Sequence, residues 1–87
     1  MEVKLTINKR NRDFGIITWP YSLDFEIKTL FEQKDIIEFK FDGKILKRKI
    51  SYKYRRFSFG KNRFQKVAEK KHCLLSKNNQ NIDIQLV

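Results

Sequence analysis

The dipeptide Asp42-Gly43 places the tightest constraint on how this chain of 87 residues folds. It lies between two segments in which apolar and polar residues alternate, residues 37–41 before it and residues 45–59 after it. Alternation with a period of two is typical of a half-buried strand, and Asp-Gly suits a two-residue type I′ turn, in which both positions have positive φ. The sequence therefore predicts an antiparallel hairpin whose second strand is long.

The start of the chain fits a second hairpin. Val3, Leu5 and Ile7 alternate with polar residues, and residues 14–19 are apolar with several β-branched side chains, so both segments are predicted to be strands. Between them, residues 8–13 are polar and rich in turn-forming side chains. We therefore predict that residues 8–13 form the loop of a hairpin.

Residues 21–31 fit either a strand or a helix. The apolar residues at the start of this segment alternate, as in a strand, whereas Leu23, Ile27 and Leu30 fall on one face of a helix. Ser22 is a suitable N-cap, and two acidic residues follow it in the first turn, where they interact favourably with the helix dipole. The helix is the favoured interpretation.

The last part of the chain completes the pattern. Residues 62–71 form a predicted short helix, since an Asn-x-x-Gln sequence at its start resembles a capping box. Residues 73–76 and 82–87 are two predicted closing strands. The order ββαββαββ predicts an α+β, mostly β fold: a small curved sheet or open barrel of six to seven strands with two short helices. A chain of this length is expected to be a single domain, residues 1–87.

The long alternating segment changes phase at Arg55-Arg56. The apolar residues from 50 to 54 have even numbers, and those from 57 to 59 have odd numbers. A strand buries one parity only, so it must bulge, bend sharply or stop at this point, and stopping would give seven strands. Before this point, the expected core residues Tyr52 and Tyr54 lie on one face, and a ladder of cations lies on the other: Lys47, Lys49, Lys53 and Arg55.

Positive charge is concentrated in the middle of the sequence. The chain has 20 Lys and Arg residues against 10 Asp and Glu, a formal net charge of +10. Residues 44–71 contain twelve of the cations and a single acid, Glu69. A field this polarised attracts polyanions, so we expect the partner to be a nucleic acid, DNA or RNA, or a nucleoprotein complex.

Lys and Arg are the expected contacts because they neutralise phosphates, and nearby aromatic rings can stack on unpaired bases. These expected contacts fall into three clusters. They are the strand residues Lys47, Lys49, Lys53, Arg55 and Arg56, the residues Lys61, Arg63 and Lys66 at and within the start of the predicted second helix, and the loop residues Lys9, Arg10 and Arg12. A separate aromatic pair, Trp19 and Tyr21, is interpreted either as a corner of the core or as a patch that binds a protein partner.

The sequence favours a protein that is not an enzyme. His72 and Cys73 are adjacent and isolated, whereas metal sites need three or four ligands, so we expect no metal, no catalytic residues and no cofactor. A lone cysteine excludes an internal disulfide and suggests a reducing compartment, so the expected location is cytoplasmic. No apolar stretch is long enough for a membrane helix, and no small-molecule substrate is indicated.

The number and order of the elements resemble the DNA-binding pseudobarrel, a fold shared by a plant transcription-factor domain and by target-recognition domains of some restriction enzymes. In that group, arms on one side of the barrel enter the major groove of DNA. The resemblance implies that the loop at residues 8–13 lies where such an arm would be. It rests on element order alone and transfers no functional residue.

Three functions remain open on sequence grounds. The leading hypothesis is a small basic protein that binds nucleic acid without catalysis. The second is an inhibitor or adaptor from a phage or mobile element, which docks on a host nucleic-acid-handling complex such as a CRISPR nuclease or a polymerase. The third is a small basic ribonuclease of the toxin type, with Tyr52, Tyr54, Arg55 and Arg56 as its candidate residues.

Overall fold

The computed structural model describes residues 2–60 and 71–87 of the chain. Within these residues there are seven strands and two short α-helices, so the predicted α+β, mostly β class is confirmed. In chain order the elements are β1 (Glu2–Thr6), α1 (Lys9–Phe14), β2 (Ile16–Thr18), a 3₁₀ turn (Tyr21–Leu23), α2 (Asp24–Leu30), β3 (Ile36–Phe41), β4 (Lys44–Lys49), β5 (Arg56–Ser58), β6 (His72–Asn78) and β7 (Asn81–Leu86). Most of the helix predicted at residues 62–71 lies outside the described residues.

Five strands form an open main sheet in the order β1-β6-β7-β3-β4. Its neighbouring strands are antiparallel except β3 and β7, which are parallel. Leu75 of β6 is in register with Val3 on one side and with Ile84 on the other, and Ile82 is in register with Phe39. All five of these side chains are buried, so the alternation along each strand produces one apolar face.

A smaller sheet and helix α2 cover that apolar face. Strands β2 and β5 pair antiparallel, with Ile17 opposite Phe57. The Phe57 ring stacks on Phe39 of the main sheet, with 4.7 Å between the ring centroids and 18° between the planes. Phe31, which follows α2, meets Phe39 edge to face at 5.7 Å. These contacts hold β5 against the core, and they leave the other side of β5 facing outward.

The hairpin predicted at Asp42-Gly43 is confirmed. Strands β3 and β4 pair antiparallel, and Phe41 lies opposite Lys44, which leaves a two-residue loop. The φ angles of Asp42 and Gly43 are 53° and 77°, as a type I′ turn requires.

The helix predicted within residues 21–31 is also confirmed. Helix α2 buries Ile27 and Leu30, while the 3₁₀ turn precedes it. The indole Nε1 of Trp19 donates a hydrogen bond to the Asp24 carboxylate at 2.9 Å. This bond ties the first residue of the helix to the residue that directly follows β2.

The hairpin predicted around residues 8–13 is wrong. Asn8 caps helix α1 and the residues that follow it lie in the helix, and β1 and β2 do not pair with each other: β1 pairs with β6, and β2 pairs with β5. The cause is a reciprocal capping box, in which the side-chain oxygens of Asn8 and Asn11 accept each other's backbone N–H. Gly15 ends the helix in the left-handed conformation, at φ 64°.

The long strand predicted over residues 45–59 is in fact two strands. Strand β4 ends at Lys49, and the chain turns back through residues 52–55 before β5 begins. Ser51 and Arg56 exchange both backbone hydrogen bonds across this turn, at 3.0 Å each, and Arg55 has a φ of 52°. The change of phase at Arg55-Arg56 is therefore a stop and a reversal.

Candidate nucleic-acid interface

The turn at residues 52–55 places its two tyrosines in different environments. Tyr52 is half-buried, packs against Trp19 and donates its hydroxyl to the carbonyl of Lys34 at 2.6 Å. Tyr54 is 61% exposed. The prediction that both are core residues is therefore wrong for Tyr54, because the alternation of a strand no longer applies once the chain enters the turn.

Cations surround the exposed tyrosine. The Arg56 guanidinium carbon lies 5.3 Å from the centroid of the Tyr54 ring, and the Lys53 ammonium lies 5.4 Å from it. Beside them, the Arg55 guanidinium carbon lies 5.9 Å from the ring of Tyr21, which is 78% exposed. We call these five residues the basic turn cluster. At such exposed sites each cation–π contact contributes only about 0.5–1 kcal/mol, so the side chains can rearrange around a ligand.

A cleft of about 300 Å³ opens between α1 and the smaller sheet. Arg10 of α1 and Arg56 of β5 line it together with Tyr54, and Thr18 of β2 lies opposite Arg56 in the strand register. The remaining described lining residues are Asn8, Asn11 and Ile16, so no acidic side chain is among them. We call this the Arg10–Arg56 cleft, and its chemistry suits an anion.

A second hollow continues the basic surface on the other side of Arg56. It also has a volume of about 300 Å³, and Lys49, Ser51 and Ser58 line it beside Arg56. Two hydroxyl groups and two cations therefore lie close together between the end of β4 and the strand β5. Arg56 lines both hollows and so connects Lys49 with Arg10, which lies 39 residues before Lys49 in the sequence.

The other predicted contact residues are dispersed. Lys47 lies in the main sheet and pairs with Glu38 of the neighbouring strand, at 3.6 Å between Nζ and Oε1, so the straight ladder of four cations does not form. Lys9 is exposed on α1, and Arg12, in the last turn of that helix, is half-buried. Lys61, Arg63 and Lys66 lie outside the described residues.

The predicted aromatic patch is divided between the core and the surface. Trp19 is only 3% exposed and packs edge to face on Phe31 with 6.3 Å between centroids, whereas Tyr21 is exposed. The hydrogen bond from Trp19, followed by an ion pair with Lys28, keeps the pKa of the Asp24 carboxyl below its ordinary value of 3.8. Trp19 is therefore a structural residue, and Tyr21 belongs to the basic turn cluster.

The adjacent pair His72 and Cys73 lies on β6 and is not part of this surface. Cys73 is fully buried in the core, and burial raises the pKa of its thiol to about 12, so it stays protonated at neutral pH. Among residues 2–60 and 71–87, no group of three or more His, Cys, Asp or Glu side chains is placed to hold a metal ion. Over the same ranges, no helix has the length and apolar character needed to span a bilayer.

Sequence reasoning missed the polar part of the Arg10–Arg56 cleft. Asn8, Asn11 and Thr18 line it, and none of them was singled out as a contact residue. The Asn-x-x-Asn spacing was a usable signal, since it places a side-chain acceptor three residues before a backbone donor. Thr18 had no such signal, because its position depends on pairing with Arg56, 38 positions later in the sequence.

Comparison with protein-family models, with curated proteins and with solved structures found no match.

Proposed function

We propose that this protein binds nucleic acid without catalysis, and that it contacts phosphates through the basic turn cluster, Arg10 and Lys49. One observation carries the proposal: the Arg10–Arg56 cleft joins two guanidiniums to an exposed tyrosine, with no acidic group among its described lining residues. Guanidiniums bind phosphate oxygens in bidentate fashion, and each phosphate that is neutralised releases counterions.

The pattern of ion pairs supports this proposal. Between described residues, acidic side chains pair with Lys28, Lys34, Lys47 and Lys77. None of these pairs involves Arg10, Lys49 or Arg56. Within the part of the chain that the structure describes, Arg10, Lys49 and Arg56 therefore form no ion pair with an acidic side chain and can pair with an external anion.

A salt titration tests the proposal. Fluorescence anisotropy with labelled duplex and single-stranded oligonucleotides gives the binding constant across a range of salt concentrations. If Arg10, Lys49 and the three cations of the basic turn cluster each contact a phosphate, log K is expected to fall by about 3.5 to 4.5 for each tenfold rise in salt concentration. A slope near zero from a folded protein contradicts the proposal.

A charge-matched pair of variants locates the interface. Arg10→Gln with Arg56→Gln removes two cations from the cleft and is expected to reduce the salt slope by about 1.4 to 1.8. Lys40→Gln with Lys44→Gln removes two exposed cations that line neither hollow, and it is expected to leave the slope nearly unchanged. Equal effects of both double variants mean that only the net charge matters, which contradicts a localised interface.

A more specific proposal is that the protein binds duplex DNA in the manner of the DNA-binding pseudobarrel. That mode requires arms that enter a groove. The segment expected to supply one, residues 8–13, lies in the short helix α1 and its N-cap. A duplex mode would therefore insert a helix with Lys9 and Arg10, where the resemblance implied a hairpin loop. Protection of phosphates in one groove, measured by footprinting on duplex DNA, tests this mode.

Docking on a nucleic-acid-handling protein complex is the second candidate function. The exposed aromatic residues Tyr21 and Phe25, each 78% exposed, favour it because they provide apolar surface next to cations. Purification from nuclease-treated lysate separates the two candidates, since a nucleic-acid-mediated association is lost under this treatment and a protein-mediated one is retained. The integrity of labelled RNA in the same binding assays tests for ribonuclease activity.

A further inference from the structure

The Arg10–Arg56 cleft has the features of a site for a single unstacked nucleotide. Its volume of about 300 Å³ is at the lower end of the range for small-ligand pockets. A cation-rich wall lies next to a ring that projects into solvent, since Tyr54 is 61% exposed and lines the cleft with Arg10 and Arg56. This is the pairing of backbone charge and aromatic platform that single-strand-binding grooves use.

The polar residues of the cleft add hydrogen-bond donors. The side-chain oxygens of Asn8 and Asn11 are engaged in the capping box of α1. Asn8, which is exposed, therefore offers a ligand chiefly its side-chain NH₂ group, which donates to phosphate oxygens or to base carbonyls, whereas Asn11 is buried and shapes the floor of the cleft. The Thr18 hydroxyl is a further donor, and it lies next to Arg56 in the smaller sheet.

Base stacking distinguishes a single strand from a duplex. Inside a duplex both faces of each base are covered by neighbouring bases, so a tyrosine cannot stack on them unless the strand is opened. An unpaired base has accessible faces. Lys53 and Arg56 already lie near the Tyr54 ring, but displacing an exposed cation costs less than a stacked base gains.

We propose that the Arg10–Arg56 cleft binds one unstacked nucleotide of a single strand, with its base on the Tyr54 ring and its phosphate between Arg10 and Arg56. This inference rests on the proposed nucleic-acid binding and adds a preference to it: a single strand binds more tightly than a duplex of the same length. The neighbouring hollow, lined by Lys49 and Arg56, accepts the adjoining phosphate.

The test compares two ligands at matched salt: a labelled oligodeoxythymidine of about 12 nucleotides, within the range that small single-strand-binding domains cover, and a duplex of equal length. Tyr54→Ala is expected to weaken single-strand binding by at least about fivefold and to change duplex binding by less than twofold. Tyr54→Phe keeps the ring and is expected to bind like the unmodified protein. Phe25→Ala removes an aromatic residue that is also exposed but does not line the cleft, and it serves as the matched control.

Each outcome separates this inference from the proposed function. Tighter binding of the duplex, or equal losses on both ligands in Tyr54→Ala, overturns the inference and leaves nucleic-acid binding intact. Absence of salt-dependent binding to either ligand overturns both. Thermal melts of every variant check folding. If Tyr54→Ala is unfolded, single-strand and duplex binding are compared in Tyr54→Ser and Tyr54→Leu, which also lack the aromatic ring.

A free nucleotide carries the same base and phosphate groups as one nucleotide of a strand. A competition experiment distinguishes between these two ligands. A nucleoside monophosphate has one base and one phosphate, whereas a strand also brings a phosphate to the hollow beside Lys49. We therefore expect the monophosphate to displace the oligonucleotide only at concentrations far above those at which the oligonucleotide binds. Displacement at equal concentrations overturns the assignment to a strand.

Discussion

A Cβ atom on Gly15 would overlap the backbone carbonyl oxygen of Gly60. The two backbones are held together by a hydrogen bond from the N–H of Phe59 to the carbonyl of Gly15, at 2.7 Å. Gly15 also has a φ of 64°, which L-residues adopt at a cost. This one position ends helix α1 and seats it against the end of β5, so it sets the relative placement of Arg10 and Arg56.

We therefore expect Gly15→Ala to be among the most destabilising single substitutions. Left-handed backbone costs an alanine about 1–2 kcal/mol, and the overlap with Gly60 adds a packing cost of about 1–3 kcal/mol. Gly43→Ala is the matched control, since Gly43 has a φ of 77° and open space around its Cα. Gly43→Ala is therefore expected to reduce the free energy of unfolding only by the backbone cost. Urea denaturation measures both, and equal losses would show that the contact with Gly60 relaxes freely.

The sequence predicted the elements that depend on local chemistry. Asp42-Gly43 requires positive φ at both positions, so the hairpin followed from two adjacent residues. Arg55-Arg56 marked the reversal, because the parity of the buried residues changes there. Helix α1 was missed because Asn8 and Asn11 are also typical turn residues, and only their mutual spacing distinguishes a capping box from a loop.

The two tyrosines of the 52–55 turn are expected to respond oppositely to truncation. Tyr52→Ala loses packing on Trp19 and a hydrogen bond to Lys34, and we expect the free energy of unfolding to fall by about 2–3 kcal/mol. Tyr54→Ala removes an exposed ring, and a change below about 0.5 kcal/mol is expected. Thermal or urea denaturation of the two variants checks this, and a loss in Tyr54→Ala comparable to that in Tyr52→Ala would contradict the orientation of the turn.

Tyr52 is also expected to be distinguishable by its ionisation. Burial, with a smaller contribution from the nearby Asp35 carboxylate, raises the pKa of Tyr52 from 10.0 to about 12. Because the folded protein favours the neutral phenol, this contribution to stability is present below pH 10 and is lost as the pH rises towards about 12. Tyrosinate absorbance during alkaline titration should therefore contain a component near pH 12 that is missing in Tyr52→Phe. If this component were still present in Tyr52→Phe, it would belong to another tyrosine.

Acid should weaken the junction between β2 and α2. The pKa of Asp24 is lowered below 3.8, chiefly by the hydrogen bond from Trp19 and then by Lys28. The ionised carboxylate is favoured in the folded state, so its stabilising effect is complete above about pH 4 and is lost as the pH falls through the folded pKa. Asp24→Asn should flatten the fall in melting temperature below this pH. Asp42→Asn changes an exposed carboxylate in the hairpin turn and is the control.

The placement of the interface depended on contacts between distant segments, which is why it could be predicted only in part. Lys53 was identified from charge and parity, and Arg56 from its charge at the point where the parity of the buried residues changes. Arg10 joins them because β2, which follows α1, pairs with β5, about forty residues later. No local pattern determines that pairing, since β1 and β2 are adjacent in sequence and each pairs with a remote strand.

Two lysines of the same strand, Lys47 and Lys49, provide the last prediction. Both are exposed and both have the same parity, so the sequence assigned them one role. Lys49 lines the hollow beside Arg56, whereas Lys47 is paired with Glu38. Lys49→Gln is therefore expected to weaken single-strand binding about three- to sixfold at physiological salt, the loss of roughly one phosphate contact. Lys47→Gln should change it by less than twofold, since Lys47 is paired with Glu38 and does not line the hollow. Anisotropy titrations of the two variants in one buffer make the comparison. Equal losses of affinity would show that both lysines contribute to the interface, which contradicts the prediction.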